Sequence, residues 1–324
     1  MPKLLFLSRK ELESLLTLKD VIEVVERGFI SFHRGEALAY PVVREFLGKY
    51  EGIFGIKSGF VKSRDYLGFK AGGYWKDNPK KGIPGHQSLI ILYDPETGVP
   101  QAVMDGNFIT IIRTGAVGAI ASKYLARKDS KIAAIIGCGT QGRIQLTALR
   151  MNFNLSDVRC YDSIQENAKT YAEGMSIPRS PINPCTHPED TVRGADIVVT
   201  TTPSMKPIVR AEWVSKGTHI NAMGADTKGK QEIYPELFQK SKVVVDDYKQ
   251  CSGLGETQHN LDFLKNHGIH AQLGEVISGE KPGRENDNEI TLFDATGIAF
   301  QDLVTAGLAL SLAKEKRMGT WVEL

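Results

Sequence analysis

No stretch of the 324 residues strings together about eighteen apolar side chains, the length a helix needs to cross a bilayer. The opening MPKLLFLSRKELE also lacks the apolar core of a secretory signal. The expectation is a cytoplasmic protein with no membrane partner. Charge of one sign is scarce: 40 Lys+Arg against 38 Asp+Glu leave a formal +2. So small an excess excludes a strong overall pull toward nucleic acid, and any basic surface must be local, as in a pocket. Cysteine is sparse and scattered at Cys138, Cys160, Cys185 and Cys251, with neither a CxxC pair nor zinc-ligand spacing. That pattern predicts free thiols in a reducing compartment and no bound metal. Internal repeats and low-complexity tails are absent as well.

What is present is a globular composition, 41% hydrophobic, in a chain long enough for two domains. Near the start, Ser8 with Glu11 reads as a capping box, and Thr17 with Asp20 opens a longer helix. Val21, Val24, Val25, Phe29 and Phe32 recur at helical spacing, with Gly35 as the stop. Between 40 and 105 the pattern is strand-like, and QSLIILY (87–93) with VPQAVMD (99–105) reads as a hairpin turning through DPETG. The small-residue helix RTGAVGAIASKYLA (113–126) predicts close packing, against core or cofactor.

From residue 131 the texture changes. KIAAIIG (131–137) is a continuous apolar run, as expected of a parallel strand buried on both faces. DVRCYD (157–162), ADIVVTTT (195–202), GTHINAM (217–223), SKVVVDD (241–247) and EITLFDAT (289–296) follow, separated by helical or polar segments. Alternating strand and helix predicts an α/β fold with a Rossmann-type doubly wound parallel sheet. A last helix is expected near 299–315.

The sharpest local signal is Gly137-Cys138-Gly139-Thr140-Gln141-Gly142, directly after a buried strand and before a helical run. Gly137 permits the tight turn, Gly139 lets backbone approach a pyrophosphate, and Gly142 lets helix and strand pack closely. Thr140 and Gln141 then stand at a helix N-terminus, whose free N–H groups suit phosphate. Asp162, ending the next strand, can accept from ribose hydroxyls and would repel a 2′-phosphate, which favours NAD over NADP. Thr201 and Thr202, at the carboxyl end of another strand, are placed to line the same cofactor.

Taken together, several segments resemble the ornithine cyclodeaminase/mu-crystallin family. They are Ile112–Ala116, the turn Gly137–Gly142, Asn221–Glu232, Gly274–Val276, Phe293–Gly297 with Gln301-Asp302, and Met318–Thr320. The resemblance implies a homodimer with two domains per subunit. A substrate-binding and dimerisation domain of α+β type would take residues 1–117 and 305–324, and the Rossmann domain 118–304. It also implies nicotinamide-dependent chemistry on a small amino or imino acid. Arg113, Lys70 and Arg44 would meet the substrate carboxylate. Asp226, beside the substrate nitrogen and the nicotinamide, would exchange protons, with Lys70 as a second catalytic group. Arg113, Thr114, Met223, Gly224, Asp226 and Lys230 would complete the cofactor site. Asp294 would sit at the substrate, where it suits a distal ammonium. The segment Phe54–Gly59 departs from the Arg-x-Met-Pro-Ala stretch of many members and carries Lys57 instead, while His86 follows Pro84-Gly85.

The leading expectation is an NAD-dependent amino-acid dehydrogenase or imino-acid reductase. The runner-up is a cyclodeaminase that recycles NAD and releases ammonia, and a third reading is a non-catalytic binding protein. If Arg44, Lys57 and His86 join Lys70 and Arg113 in one pocket, the excess of cations asks for a second substrate carboxylate, as in the imine related to aspartate.

Overall fold

A computed structural model describes residues 2–324. The chain divides into two compact units, Met1–Arg113 with Ile298–Leu324, and Thr114–Gly297. The first is called the flanking unit and the second the inserted unit. The flanking unit opens with β1 (Lys3–Leu7), α1 (Arg9–Leu15) and α2 (Leu18–His33). Ser8 and Glu11 form the expected capping box, and the Thr17 hydroxyl accepts from Asp20 N. Next come β2 (Ala37–Ala39), β3 (Val43–Phe46), β4 (Gly52–Val61), β5 (Tyr66–Trp75), β6 (His86–Tyr93) and β7 (Pro100–Asp105). The β6–β7 turn is held by Asp94, which accepts from Glu96 N and Thr97 N, and by Gly98 at φ +72°. The helix α3 (Gly106–Leu125) begins immediately after β7, and the boundary between units falls inside it.

The inserted unit carries β8 (Ile132–Ile136), α4 (Thr140–Asn152), β9 (Asp157–Tyr161), α5 (Gln165–Met175), β10 (Ile182–Pro184) and α6 (Pro188–Val192). After β11 (Ile197–Thr200) and β12 (His219–Ala222) come α7 (Pro235–Gln239), β13 (Lys242–Val245) and α8 (Tyr248–Leu254). The unit ends with α9 (Leu261–His267), β14 (Ala271–Gln272), α10 (Leu273–Ile277) and β15 (Thr291–Asp294). The chain then returns to the flanking unit as α11 (Ala299–Lys316) and β16 (Thr320–Glu323).

In the flanking unit the sheet runs β16-β1-β7-β6-β5-β4-β2, with β3 also on β4. It is antiparallel except at β1–β7. Register places Lys57 opposite Lys70, Lys70 opposite Ile90, Gly72 opposite Ser88, and Arg44 opposite Gly55. Because side chains alternate, Arg44, Lys57, Lys70, His86 and Ser88 share one face. The helix α11 covers that same face. A Cβ on Gly59 would stand 3.4 Å from Ala299 Cβ, and one on Gly68 3.2 Å from Leu303 Cδ2. The neighbouring strands constrain both positions more tightly, since the same Cβ atoms would stand 2.2 Å from Leu38 O and 2.3 Å from Ile91 O. The helix α11 packs with this sheet and α2, and the division into units falls before Ile298, where the sequence had suggested residue 304.

The inserted unit's sheet is wholly parallel, in the order β10-β9-β8-β11-β12-β15-β13-β14. Chain order reverses between β8 and β11, which creates the crevice where doubly wound sheets bind ligands. Apolar clusters fill both faces, led by Ile135, Leu146 and Tyr171 on one side and Ile136, Ile220 and Phe238 on the other. Two further findings bear on expectations from composition. No helix among the described residues is long and apolar enough to cross a membrane. Among them, too, no group of three His, Cys, Asp or Glu side chains is placed to hold a metal ion.

One polar network lies inside this core. His219 is fully buried, with Nε2 3.0 Å from Asn221 Oδ1 and Nδ1 3.0 Å from Thr291 Oγ1. Asn221 Nδ2 donates to Ser122 Oγ at 2.8 Å, so its Oδ1 is left to accept from a neutral ring. Burial, with the nearby Arg284 charge, lowers the imidazole to about 3. A lowered histidine keeps its proton off in the folded state, whereas the unfolded chain takes one up below about 6.5. Stability should therefore decline as pH falls from 7 to 4.5. Thermal melts across that range should show a shallower decline in His219→Gln, and an unchanged slope would dismiss the assignment.

Candidate active site

One stripe of α3 organises the polar cluster of the flanking unit. Asn107, Thr110 and Arg113 recur every third residue and so lie along one side of the helix. Asn107 Oδ1 lies 2.9 Å from His86 Nδ1 and accepts from Ser88 Oγ at 3.4 Å. Thr110 Oγ1 accepts from Lys70 Nζ at 3.0 Å. Arg113 Nε donates to Asp302 Oδ1 at 3.0 Å and its Nη1 to Gln301 Oε1 at 2.9 Å. Lys70 Nζ donates to the same Asp302 at 2.9 Å. Asp302 stands in the first turn of α11, where a carboxylate also suits the helix dipole.

Three buried cations thus share this carboxylate's neighbourhood: Lys57 at 7% exposure, Lys70 at 8% and Arg113 at 6%, with Asp302 at 1%. Burial opposes ionisation of Asp302, but Lys70 and Arg113, joined by Lys57, outweigh it and hold the carboxyl below its ordinary range. Burial lowers Lys70 to about 8, Arg113 and Arg44 push the same way, and Asp302 pulls back. Lys57 and Arg44 are therefore close enough to act on the cluster electrostatically. The arrangement can receive anions, and Lys70 can gain or lose a proton near neutral pH.

The inserted unit supplies a dinucleotide cradle. Gly137 has φ +101°, and a Cβ there would come within 2.9 Å of Thr201 Oγ1. A Cβ on Gly142 would stand 2.2 Å from Gly137 O, so both positions demand glycine. Gly139, in contrast, faces open space and is exposed, as is Thr140, the first residue of α4. No side chain caps the N-terminus of α4, which leaves its first N–H groups for an anion. Asp162 accepts from Cys138 N at 3.0 Å and from Ile164 N at 2.9 Å, which fixes it beside the glycine turn while half-buried. Thr201 Oγ1 donates to Gly137 O at 3.0 Å, tying β11 to the same turn. Gln141 Oε1 is buried and has no partner among the described residues. These residues fit a bound NAD.

Past β12, the loop Met223-Gly224-Ala225-Asp226 carries the expected proton-transfer group. Asp226 is partly exposed, and Lys230 Nζ donates to it at 2.7 Å. Thr114, Thr202 and Met223 lie in this unit too, Thr202 with its backbone and hydroxyl held by Glu232. Asp294 is placed differently from the expectation at the substrate ammonium. It is fully buried at the end of β15 and accepts from Glu256 N at 3.1 Å, Thr257 N at 2.8 Å and Thr257 Oγ1 at 2.7 Å. Both oxygens are thus committed to the 256–259 turn, because an acid at a parallel strand's end answers backbone N–H groups before it answers a ligand.

The ornithine cyclodeaminase/mu-crystallin family model matches residues 3–317. The chain belongs to that family. It is 42% identical to an alanine dehydrogenase of Archaeoglobus fulgidus, over 98% of each chain. It is 36% identical to an iminosuccinate reductase of Paracoccus denitrificans, covering 99% of this chain and 100% of that one. An archaeal alanine dehydrogenase dimer with bound NAD superposes with a TM-score of 0.94 at 41% identity, covering 100% of both chains.

In this family member, sequence reasoning overlooked the roles of Asp302, Gln301, Thr110, Asn107 and Glu232. The available signal was polarity out of place: Gln301 and Asp302 interrupt an otherwise apolar buried helix. Lys70 yields a test. Below about 8 it is charged, and above that it loses the charge that a carboxylate ligand needs. Titration of L-alanine and L-aspartate into the NAD-loaded protein should show affinity falling as pH rises through about 8. Lys70→Arg should move that fall upward; a pH-independent affinity between 7 and 9 would remove Lys70 from carboxylate binding.

Proposed function

We propose that this protein is an NAD(H)-dependent oxidoreductase of a small α-amino or α-imino acid, acting as an imine reductase on a compact dicarboxylate such as the imine of oxaloacetate. The observation that carries this reading is the buried cluster in which Lys57, Lys70 and Arg113 draw on Asp302. Buried cations gathered on one sheet face suit an anionic ligand. Arg113, with its planar fork, and Lys70 hold the first substrate carboxylate. Lys57 and Arg44, on the same sheet face, answer the second. Asp226 exchanges a proton with the substrate nitrogen, and Lys230, donating to it at 2.7 Å, orients it. Bound NAD(H) supplies the hydride chemistry at the α-carbon.

The cyclodeaminase reading needs an acid for a distal ammonium, and the donors around Asp294 leave it poorly suited to that task. The retained Lys70, Arg113 and Asp226 weigh against a protein that only binds. A homodimer is part of the proposal. On the sheet face away from α11, Val43, Phe54 and Leu89 are exposed at 46%, 37% and 53%, an apolar surface suited to a second copy.

The test is a substrate panel that follows NADH absorbance and ammonia together. Oxaloacetate with ammonia should be reduced fastest, pyruvate with ammonia more slowly, and ornithine should release no ammonia. Preference for pyruvate imine would restrict the proposal to a monocarboxylate. Ammonia release from ornithine without net NADH change would replace it by the cyclodeaminase reading.

A further inference from the structure

Glu232 has no part in the chemistry just described, yet it is fully buried and its donors lie in the inserted unit, beside the dinucleotide cradle. Its Oε1 accepts from Thr202 N and from Thr202 Oγ1 at 2.7 Å. Its Oε2 accepts from Thr200 Oγ1 at 2.7 Å and from Gly224 N at 2.8 Å. One carboxylate therefore staples the end of β11 to the loop leaving β12. A Cβ on Gly224 would stand 2.6 Å from this carboxylate, so the loop's glycine is required by the staple. Thr201, between the two threonines, is the residue bonded to Gly137 of the dinucleotide turn. Asp226 lies two residues beyond Gly224.

Glu232 is itself held by a second acid. Glu256 Oε1 accepts from Glu232 N at 2.7 Å, and its Oε2 from Ile233 N at 3.3 Å. Glu256 in turn is held by a third, since Asp294 accepts from Glu256 N and from Thr257 N and Oγ1. Asp294 ends β15 directly opposite Ala222 of β12. The three buried acids form a relay rooted in the sheet, each accepting from the backbone that carries the next.

We propose that Glu232, anchored through Glu256 and Asp294, is a positioning residue that fixes the Gly224–Asp226 loop and thereby orients Asp226 for proton transfer. The inference rests on the role given to Asp226 above. A carboxylate offers four acceptor sites on two oxygens, which matches four donors on two loops. An amide of the same shape turns an NH2 toward one pair of those donors. The loop then shifts, and a small misplacement of a reacting group costs about 10²-fold in rate.

The experiment is a double-mutant cycle of Glu232→Gln with Asp226→Asn, combined with amide hydrogen exchange. In otherwise native protein, Glu232→Gln should lower kcat by about 10–10²-fold while changing KM for the imine little. In the Asp226→Asn background it should lower kcat no further, since the residue through which it acts is already gone. Exchange of the 223–228 amides should quicken with that of the β8 core unchanged. Additive losses in the cycle, or native kcat in Glu232→Gln, would overturn the proposal.

If Glu232→Gln does not fold, Thr200→Val removes one donor and keeps the charge. Native kcat and native exchange at 223–228 in that variant would then overturn it. The exchange readout does not depend on turnover. A wild-type protein that reduces no imine would defeat the functional reading alone, and unchanged exchange in the variants would defeat the positioning role alone.

Discussion

Asp302 is the interaction on which the flanking unit depends. Two cations from different elements, Lys70 of β5 and Arg113 of α3, are buried together and meet at this one carboxylate. Removing a single partner from such a cluster leaves an uncompensated charge out of water, at a cost of about 3–5 kcal/mol. The carboxylate must therefore arrive at a fixed place, and the fold is arranged to bring it there. The helix α11 lies on the sheet face that carries Lys70, and its first turn presents Gln301 and Asp302 to the arginine. The same approach buries Phe300 against Phe29 and Phe32 at ring separations of 5.1 and 5.2 Å, so apolar packing holds the helix while charge sets its register.

The inserted unit solves a different difficulty. Every parallel strand ends with backbone groups that lack a partner, and water is excluded at these depths. Acids do the work here. Asp246 accepts from Thr296 N and Gly297 N, Asp294 from the 256–257 backbone, Glu256 from 232–233, and Glu232 from the ends of β11 and β12. Burial pushes Glu232 and Glu256 above the ordinary carboxylate range, and their donors pull the other way. Fixed donors make these acids rigid connectors at the edge where a ligand binds, which is where rigidity matters for chemistry.

How much of this could be read in the sequence follows from the range of each interaction. The glycine turn and Asp162 are local, one strand and one helix apart, and their spacing carried the meaning. The buried strands of the inserted unit were visible as apolar runs, though β10 and β14, at three and two residues, are too short to show periodicity. The pairing of β1 with β16 was also invisible, because the two strands stand at opposite ends of the chain. The role of Asp302 was hidden for the same reason: its partners are 232 and 189 residues away. Asp294 is a different case. Its place in a family motif suggested a ligand, but a motif does not tell whether a carboxylate turns to substrate or to backbone.

The division of the flanking unit has a consequence for how the chain is made. Lys70 and Arg113 leave the ribosome before the whole of Thr114–Gly297, and Asp302 only after it. Until α11 is made, the sheet it covers stays open and Lys70 and Arg113 lack Asp302. Translation thus imposes an order: the sheet of the flanking unit is covered only after the whole inserted unit has been made. A chain ending before residue 298 has neither α11 nor the Asp302 carboxylate, and its flanking sheet stays bare.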